Sequence, residues 1–410
     1  MRLAEASLAA LAAAILVSCT VRLNVGLLAV ALAWLVGVYY GGMRLEEVAA
    51  GFPSQLFLTL VGVTLLFAQA HWNGTLDRVA QKALRLCRGN VGLTPLAFFA
   101  LALILSVVGP GTIASAALVA PAAMAVAARA GVPAFLMAIM VGNCANAGAL
   151  SPFAPTGIIV NSLMAQVGLG GNEWRTCLYV MAAHSTVGIV GYFVFGGWRL
   201  FRRGSVAVES ESGALENRHW LTLAVIACLI IAVAFFNVNV GMGAFVGAIV
   251  LGLLRTADPQ EALKSIPWSV IVMVCGVTVL VALAEKAHGL DLVTDALGTI
   301  SSRRSMAALI GFLAGLVSMF SSTSGVVLPA FVPMAPGLAA RVGADPLAVA
   351  SAINVGANLV DVSPLSTIGA LCLSAAQVDG ERLLFQKLLA WGLSMTVVGA
   401  GLCHVFFGGR

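Results

Sequence analysis

Apolar runs occupy most of the chain, at about 5–21, 25–43, 52–70, 91–108, 112–130, 133–168, 177–199, 219–236, 239–255, 266–285, 304–320, 324–341, 345–378 and 384–408. Crossing a bilayer takes roughly 20 apolar residues. Several runs are shorter than that. The two longest, 133–168 and 345–378, carry Gly, Pro, Asn and Ser in mid-run. The pattern therefore predicts membrane helices together with two helices that break in the middle. Polar positions interrupt in three places. In 71–90, Leu76, Val79, Ala83 and Leu84 share one face, while Arg78, Lys82, Arg85 and Arg88 lie largely elsewhere. That predicts an amphipathic arm on the membrane surface. Residues 286–303 form its counterpart, and 200–218 read as a loop between two halves.

The two interrupted runs match. A constant shift of 212 residues lays Asn146 on Asn358, Ser151-Pro152 on Ser363-Pro364 and Gly157 on Gly369. It also carries Pro121 onto Pro333, Arg129 onto Arg341 and Gly131 onto Gly343 without a gap. Between 109–157 and 321–369, 12 of 49 aligned positions are identical. Some identities are Ala on Ala, which this composition makes common; the Asn, Ser-Pro, Arg and Gly matches are not. Gly/Pro-interrupted hydrophobic segments at corresponding places in two halves point to a binding site near the bilayer midplane.

Composition agrees. The 410 residues are 60% hydrophobic and 10% charged, with a mean hydropathy of +1.01. A soluble domain carries about 25% charged residues. The net charge of +5 reflects Lys and Arg between apolar runs, so it implies no nucleic-acid partner. With the N-terminus outside, 14 of the 22 basic residues fall in inside segments, as the positive-inside rule favours. The eight Cys are scattered, without CxxC or Cys/His metal spacing, and read as small core residues. The start, MRLAEASLAALAAAILVSCTVRLN, imitates a secretory signal, but residues 219–236 hold the same place before the second half, which favours a first membrane helix.

Tips rich in Gly, Pro, Ser and Thr, at Gly109-Pro110-Gly111-Thr112 and Ser321–Gly325, predict that 91–130 and 304–341 are re-entrant hairpins. Such backbone is tolerated in a membrane where it is buried in protein or lines a cavity. Each half then has five crossings and one hairpin, and an odd number of crossings inverts the second half. The expected organisation is an all-α polytopic membrane protein of two inverted repeats. The first repeat is 1–199 (arm 71–90, hairpin 91–130, broken helix 133–168). The inter-repeat loop is 200–218. The second repeat is 219–410 (arm 286–303, hairpin 304–341, broken helix 345–378).

The order of elements and the phrases NVGLLAVALAWLVGVYYGG (24–42), IPWSVIVMVCGVTVLVALAEKAHGLD (266–291) and NVGANLVDVSPLSTIGALCLSAA (354–376) carry a family likeness. The chain resembles the ion-transporter superfamily that contains the divalent anion–sodium symporters. Its N-terminal half looks most like the malonate/dicarboxylate carrier branch. The resemblance implies a cation-coupled carrier (Na⁺ or H⁺) of small dicarboxylates in the cell membrane. It also implies an elevator mechanism, with scaffold and transport domains, and a homodimer embedded in lipid. In the symporters each tip carries a Ser-Asn-Thr signature. Here neither tip has the Asn, although Thr112 and Thr323 can stand for the Thr.

The expected core holds no Lys or Arg. An anion there would rely on half-helix N-termini, each worth about half a positive charge. Four are expected to converge: from Thr112, from Ser324, and after Pro152 and Pro364. Candidate substrate-binding residues are Gly111, Thr112, Asn146, Pro152, Thr156, Thr323, Ser324, Asn358, Pro364, Ser366 and Thr367. Thr112, Asn146, Thr323, Asn358 and Asp361 are candidate Na⁺ ligands. Asp361 has no acidic counterpart, since Ala149 holds its place in the first half. An ionisable residue at membrane depth is a functional candidate. Such hydroxyls also satisfy their own helix, so each has an ordinary structural reading as well. His184 reads as packed or hydrogen-bonded, and Arg129 and Arg341 as snorkelling hairpin ends. With no HExxH, no paired intramembrane Asp and no placed Ser/His pair, an intramembrane enzyme is disfavoured. An exporter or channel-like permease for another anion is the remaining alternative.

Overall fold

The computed structural model describes residues 2–20, 23–79, 89–203, 205–206, 214–236, 238–376 and 381–409. Of the arm at 71–90, only 71–79, 89 and 90 fall among these, and 75–79 is helical. Lys82, Ala83, Leu84, Arg85 and Arg88 lie outside the described residues. The described chain is helical apart from loops and one two-residue ladder, Gly89–Asn90 antiparallel to Ser205–Val206.

One order of elements occurs twice. In the first half, Leu3–Thr20, Val25–Trp34 and Ser54–Trp72 precede a helical hairpin, Thr94–Val108 and Gly111–Ala130. A broken helix follows, Ala134–Ala147 and Pro155–Gln166, then Glu173–Val194. In the second half, Asn217–Phe236, Val240–Leu253, Trp268–Lys286 and the arm helix Gly289–Ile300 precede the hairpin Met306–Ser318 and Thr323–Val342. The broken helix Pro346–Leu359 and Thr367–Ser374 and the helix Glu381–Phe407 complete it.

Among the described residues, six helices are long and apolar enough to cross a membrane: Ser54–Trp72, Gly111–Ala130, Glu173–Val194, Trp268–Lys286, Thr323–Val342 and Arg382–Phe407. Two of these are the second arms of the hairpins, each of 20 residues and so about 30 Å long at helical rise. The first arms are shorter, at 15 and 13 residues. Trp34, Trp198, Trp220 and Trp268 are exposed, as interfacial anchors require.

The helices pack in two groups. Val25–Trp34 lies on Trp268–Lys286, and Ser54–Trp72 on Val240–Leu253, so each half contributes one helix to each pair. These crossings are close. A Cβ on Gly26 would sit 2.3 Å from the Val272 carbonyl oxygen, and one on Gly276 would sit 2.2 Å from that of Gly26. Small residues permit such backbone approach where lipid supplies no hydrophobic drive between helices. Asn24 and Asn239 cap the matching helices, accepting from the amides of Gly26 and Gly241. The second group holds both hairpins, both broken helices, Glu173–Val194 and Glu381–Phe407.

The hairpins differ in regularity. Gly111–Ala130 is one helix with Pro121 inside it. Thr323–Val342 passes through a π turn, an α turn and a 3-10 turn before Ala335–Val342. Pro329, Pro333 and Pro336 remove backbone donors there, which accounts for the broken ladder. Both arms end alike, on Gly131 and Gly343 in the left-handed region.

Candidate functional site

Each broken helix stops and restarts at positions related by the 212-residue shift. The first pieces end at Ala147 and Leu359; the second begin at Pro155 and Thr367. The expected restarts directly after Pro152 and Pro364 are thus each two residues early. Pro155, not Pro152, takes the first helical position, where a missing N–H is harmless. The chain then folds tightly back on itself. A Cβ on Gly157 would lie 2.0 Å from the Ser151 carbonyl oxygen, and one on Gly369 would lie 2.0 Å from that of Ser363. Only glycine fits either place.

Side chains lock each tip to a break. In the first half, the Ser106 hydroxyl donates to the Ala145 carbonyl (2.6 Å) and Ser151 to that of Val107 (2.7 Å). In the second half the link is a polar chain. Thr323 Oγ1 donates to Asp361 Oδ1 at 2.7 Å, so the Ser318 hydroxyl, 2.5 Å away, donates to Thr323. Ser366 Oγ lies 2.5 Å from the Asp361 carbonyl and 2.7 Å from that of Ser363.

A cavity of about 380 Å³ lies between the two tips and the two breaks. Thr112, Asn146, Thr156, Thr323 and Ser324 line it, with Asn358, Asp361, Ser366 and Thr367. Nine of the predicted residues therefore meet around one space. Gly111 lies in an adjoining cavity. Pro152 faces a different cavity, beside Phe52, Pro53 and Asn161, and Pro364 is buried away from both. Ser318, Val270 and Met273 are among the lining residues that the sequence reading missed. Ser318 belongs to the arm before the tip, while Val270 and Met273 come from Trp268–Lys286 in the other packing group. The shift pairs Ser318 with Ser106, a usable signal. Val270 and Met273 carry none, because an apolar residue in an apolar helix looks like packing.

The electrostatics are uneven. No Lys or Arg lines the cavity, and Asp361 is its one ionisable side chain among the described residues. The helices starting at Gly111 and Pro155 have no side-chain cap. Those starting at Thr323 and Thr367 are capped by Ser322 and Ser366, which accept from the amides of Gly325 and Gly369. The matched asparagines also diverge. Asn358 Nδ2 donates to its own helix, at the Asn354 carbonyl (2.8 Å). Asn146 Nδ2 is buried without a partner, beside the cavity its residue lines. A buried donor left unpaired costs about 1–3 kcal/mol. Free amides and an open Asn donor suit an anion; hydroxyls and a carboxylate suit a cation.

Other candidates are placed elsewhere. His184 is buried against Asn143 Oδ1 (3.1 Å) and does not line the cavity. Arg341 forms an ion pair with Asp295 on the arm helix, and Arg129 is exposed.

The family described as dicarboxylate carrier protein MatC N-terminus matches residues 1–149 and 217–359. A curated Escherichia coli (strain K12) protein, named uncharacterized transporter YfbS, is 24% identical over 228 residues. The match covers 52% of this chain and 36% of that relative, so this chain spans little more than a third of its length. The Alcanivorax borkumensis YdaH transporter, whose crystal structure is described as having an unusual topology, aligns with a TM-score of 0.62 at 17% identity, over 90% of this chain and 88% of its own. Neisseria gonorrhoeae MtrF, described as illuminating a class of antimetabolite efflux pumps, aligns with a TM-score of 0.59 at 12% identity, over 91% and 84%. At these identities the structural likeness establishes the fold alone.

Proposed function

The chain belongs to the dicarboxylate carrier protein MatC N-terminus family, and on that premise we propose that it is a secondary active carrier of small dicarboxylates, malonate first among them, driven by a co-transported cation. It is a multi-pass membrane protein of a carrier family, not an enzyme. The observation that carries the finer reading is the charge balance of the cavity. A dicarboxylate brings two negative charges beside Asp361, and no protein cation lines the space. Two like charges about 6 Å apart repel by roughly 3 kcal/mol at an effective dielectric near 20. A cation or proton arriving with the substrate would remove that penalty, which supports the coupled reading.

In this reading the carboxylates face Thr112, Thr156 and the Asn146 amide. Na⁺ takes the oxygens of Thr323, Asp361 and nearby carbonyls, a donor set that suits a hard cation. The rest of the proposal is architectural. The halves 1–199 and 219–410 are inverted repeats with re-entrant hairpins, as in the divalent anion–sodium symporters. The hairpin and broken-helix group is the moving domain of an elevator, and the other group is the scaffold of a homodimer. The separation of the helices into two packing groups supports this. So do two family-matched segments whose starts, 1 and 217, lie 216 residues apart.

The test is uptake of radiolabelled malonate into proteoliposomes, with an inward Na⁺ gradient against a matched K⁺ control at fixed pH. Na⁺-dependent accumulation above equilibrium is expected, with counterflow against internal malonate. Accumulation driven by a pH gradient alone would transfer the coupling role to a proton on Asp361. No uptake in folded protein under either gradient would reject dicarboxylate as substrate. Uptake without counterflow would mark a channel.

A further inference from the structure

A second cavity, of about 270 Å³, lies behind the first tip. One wall is the tip itself, Gly109 to Ala114; the opposite wall is Phe67, Ala68 and Leu76, with Ile159 and Pro267 closing the sides. Its character is the reverse of the polar cavity. Phe67, Leu76 and Ile159 are buried, and the one ionisable side chain among the described residues, His71, is exposed. The Phe67 ring defines the contact with the tip: a Cβ on Gly109 would fall 2.2 Å from its Cζ.

The two spaces adjoin. Thr112, Ile113, Thr156, Val270 and Ser324 line both. A molecule whose carboxylates rest on Thr112 and Thr156 therefore has an apolar chamber directly behind them. An apolar cavity of about 150 Å³ already accommodates benzene, so this one has room for a ring or a branched alkyl group.

We infer that the chamber is a specificity subsite for an apolar substituent on the substrate, so the carrier takes dicarboxylates substituted with an aryl or alkyl group more tightly than the bare diacids. This rests on the proposed dicarboxylate function and adds to it. The polar cavity holds the two carboxylates that all such substrates share, and the chamber reads the side chain that distinguishes them.

The test compares matched pairs, malonate with benzylmalonate and succinate with benzylsuccinate, as competitors of radiolabelled parent uptake in proteoliposomes. The substituted member of a transported pair should inhibit at a concentration roughly tenfold to a hundredfold lower, the range for burying a phenyl-sized group. Ala68→Phe, which fills the chamber from the scaffold side, should remove most of that advantage and leave the parent KM within about twofold. Ala68→Leu, a smaller change, should remove part of it. A substituted diacid that competes no better than its transported parent overturns the inference and leaves the dicarboxylate function standing; the chamber would then fit a lipid acyl chain. Equal weakening of parent and substituted diacid by both Ala68 variants overturns it as well. If neither parent is transported by folded protein, the dicarboxylate function itself fails and the inference falls with it.

Discussion

The two tip-and-break units of the site share a backbone and differ in chemistry. Their helices end and restart at equivalent positions, and their hairpins close on matching glycines. Where the second unit has Thr323, Asp361 and Ser366, the first has Gly111, Ala149 and Ala154. The first unit is left with uncapped helix starts and the open amide of Asn146; the second, with capped starts and a hydroxyl–carboxylate chain. The lesson is that a repeat can preserve geometry and divide labour. In the proposed function, one copy would face an anion and the other its compensating cation. Variants should therefore act alike where the backbone is shared and unlike where the chemistry diverges.

The largest effects are expected where the halves agree. Gly157→Ala and Gly369→Ala each place a methyl group 2.0 Å from a carbonyl oxygen, which the fold cannot absorb. Both should abolish monodisperse protein in size-exclusion profiles after detergent extraction. One tolerated and one lethal substitution would show that the breaks are not equivalent.

Asp361→Asn comes next, and it should divide two readouts. Truncating one partner of a close charge pair costs about 2–5 kcal/mol, so gradient-driven accumulation should fall at least about thirtyfold. Exchange of internal for external malonate needs no net cation movement, so it should persist within about threefold. Full accumulation in the Asn variant would remove Asp361 from coupling.

The asparagines give a smaller contrast. Asn146→Ala removes the donor that the proposed function assigns to a carboxylate, a bond worth about 1.5–3 kcal/mol, so KM for malonate should rise roughly tenfold or more. Asn358→Ala removes an amide that bonds its own helix at the Asn354 carbonyl. Its KM should shift by no more than about threefold, with the loss appearing in thermal stability. Equal KM effects would break the division between the halves.

Much of this was legible in the sequence for one reason: membrane depth makes polar residues and helix breakers rare, so each one carries information. Asn146, Asn358, Asp361 and the tip hydroxyls stand out against an apolar background, and all of these line the one cavity. The mistakes concern residues whose role depends on position within a turn. Pro152 looks like the residue before a helix start, but the chain needs two more residues, Phe153 and Ala154, to turn before Pro155 begins the helix. Pro364 failed in the same way, and Ser366 caps the restart at Thr367. The contribution of the other packing group stayed hidden because Val270 and Met273 are apolar among apolar neighbours. The caps were also hidden. Serine on the membrane side of a break reads equally as donor, cap or packing, and only the backbone it meets decides which.

That ambiguity makes the smallest variant the most pointed. Ser366 and Ala154 occupy the same place under the shift, and both are the residue before the restarting helix. Ser366 accepts from the Gly369 amide; Ala154 has nothing to offer Gly157. Exchanging them moves the cap between the halves. Ser366→Ala should lower stability by about 1 kcal/mol, the usual worth of a cap, with little change in malonate KM. Ala154→Ser should raise stability by up to about the same amount. It should also raise KM severalfold, because the new hydroxyl occupies an amide that the substrate would otherwise use. Melting curves of purified protein and uptake kinetics read the two quantities separately. If both exchanges alter KM alike, or neither does, the uncapped helix starts are not where the anion sits, and the division of labour between the halves fails at its anionic end.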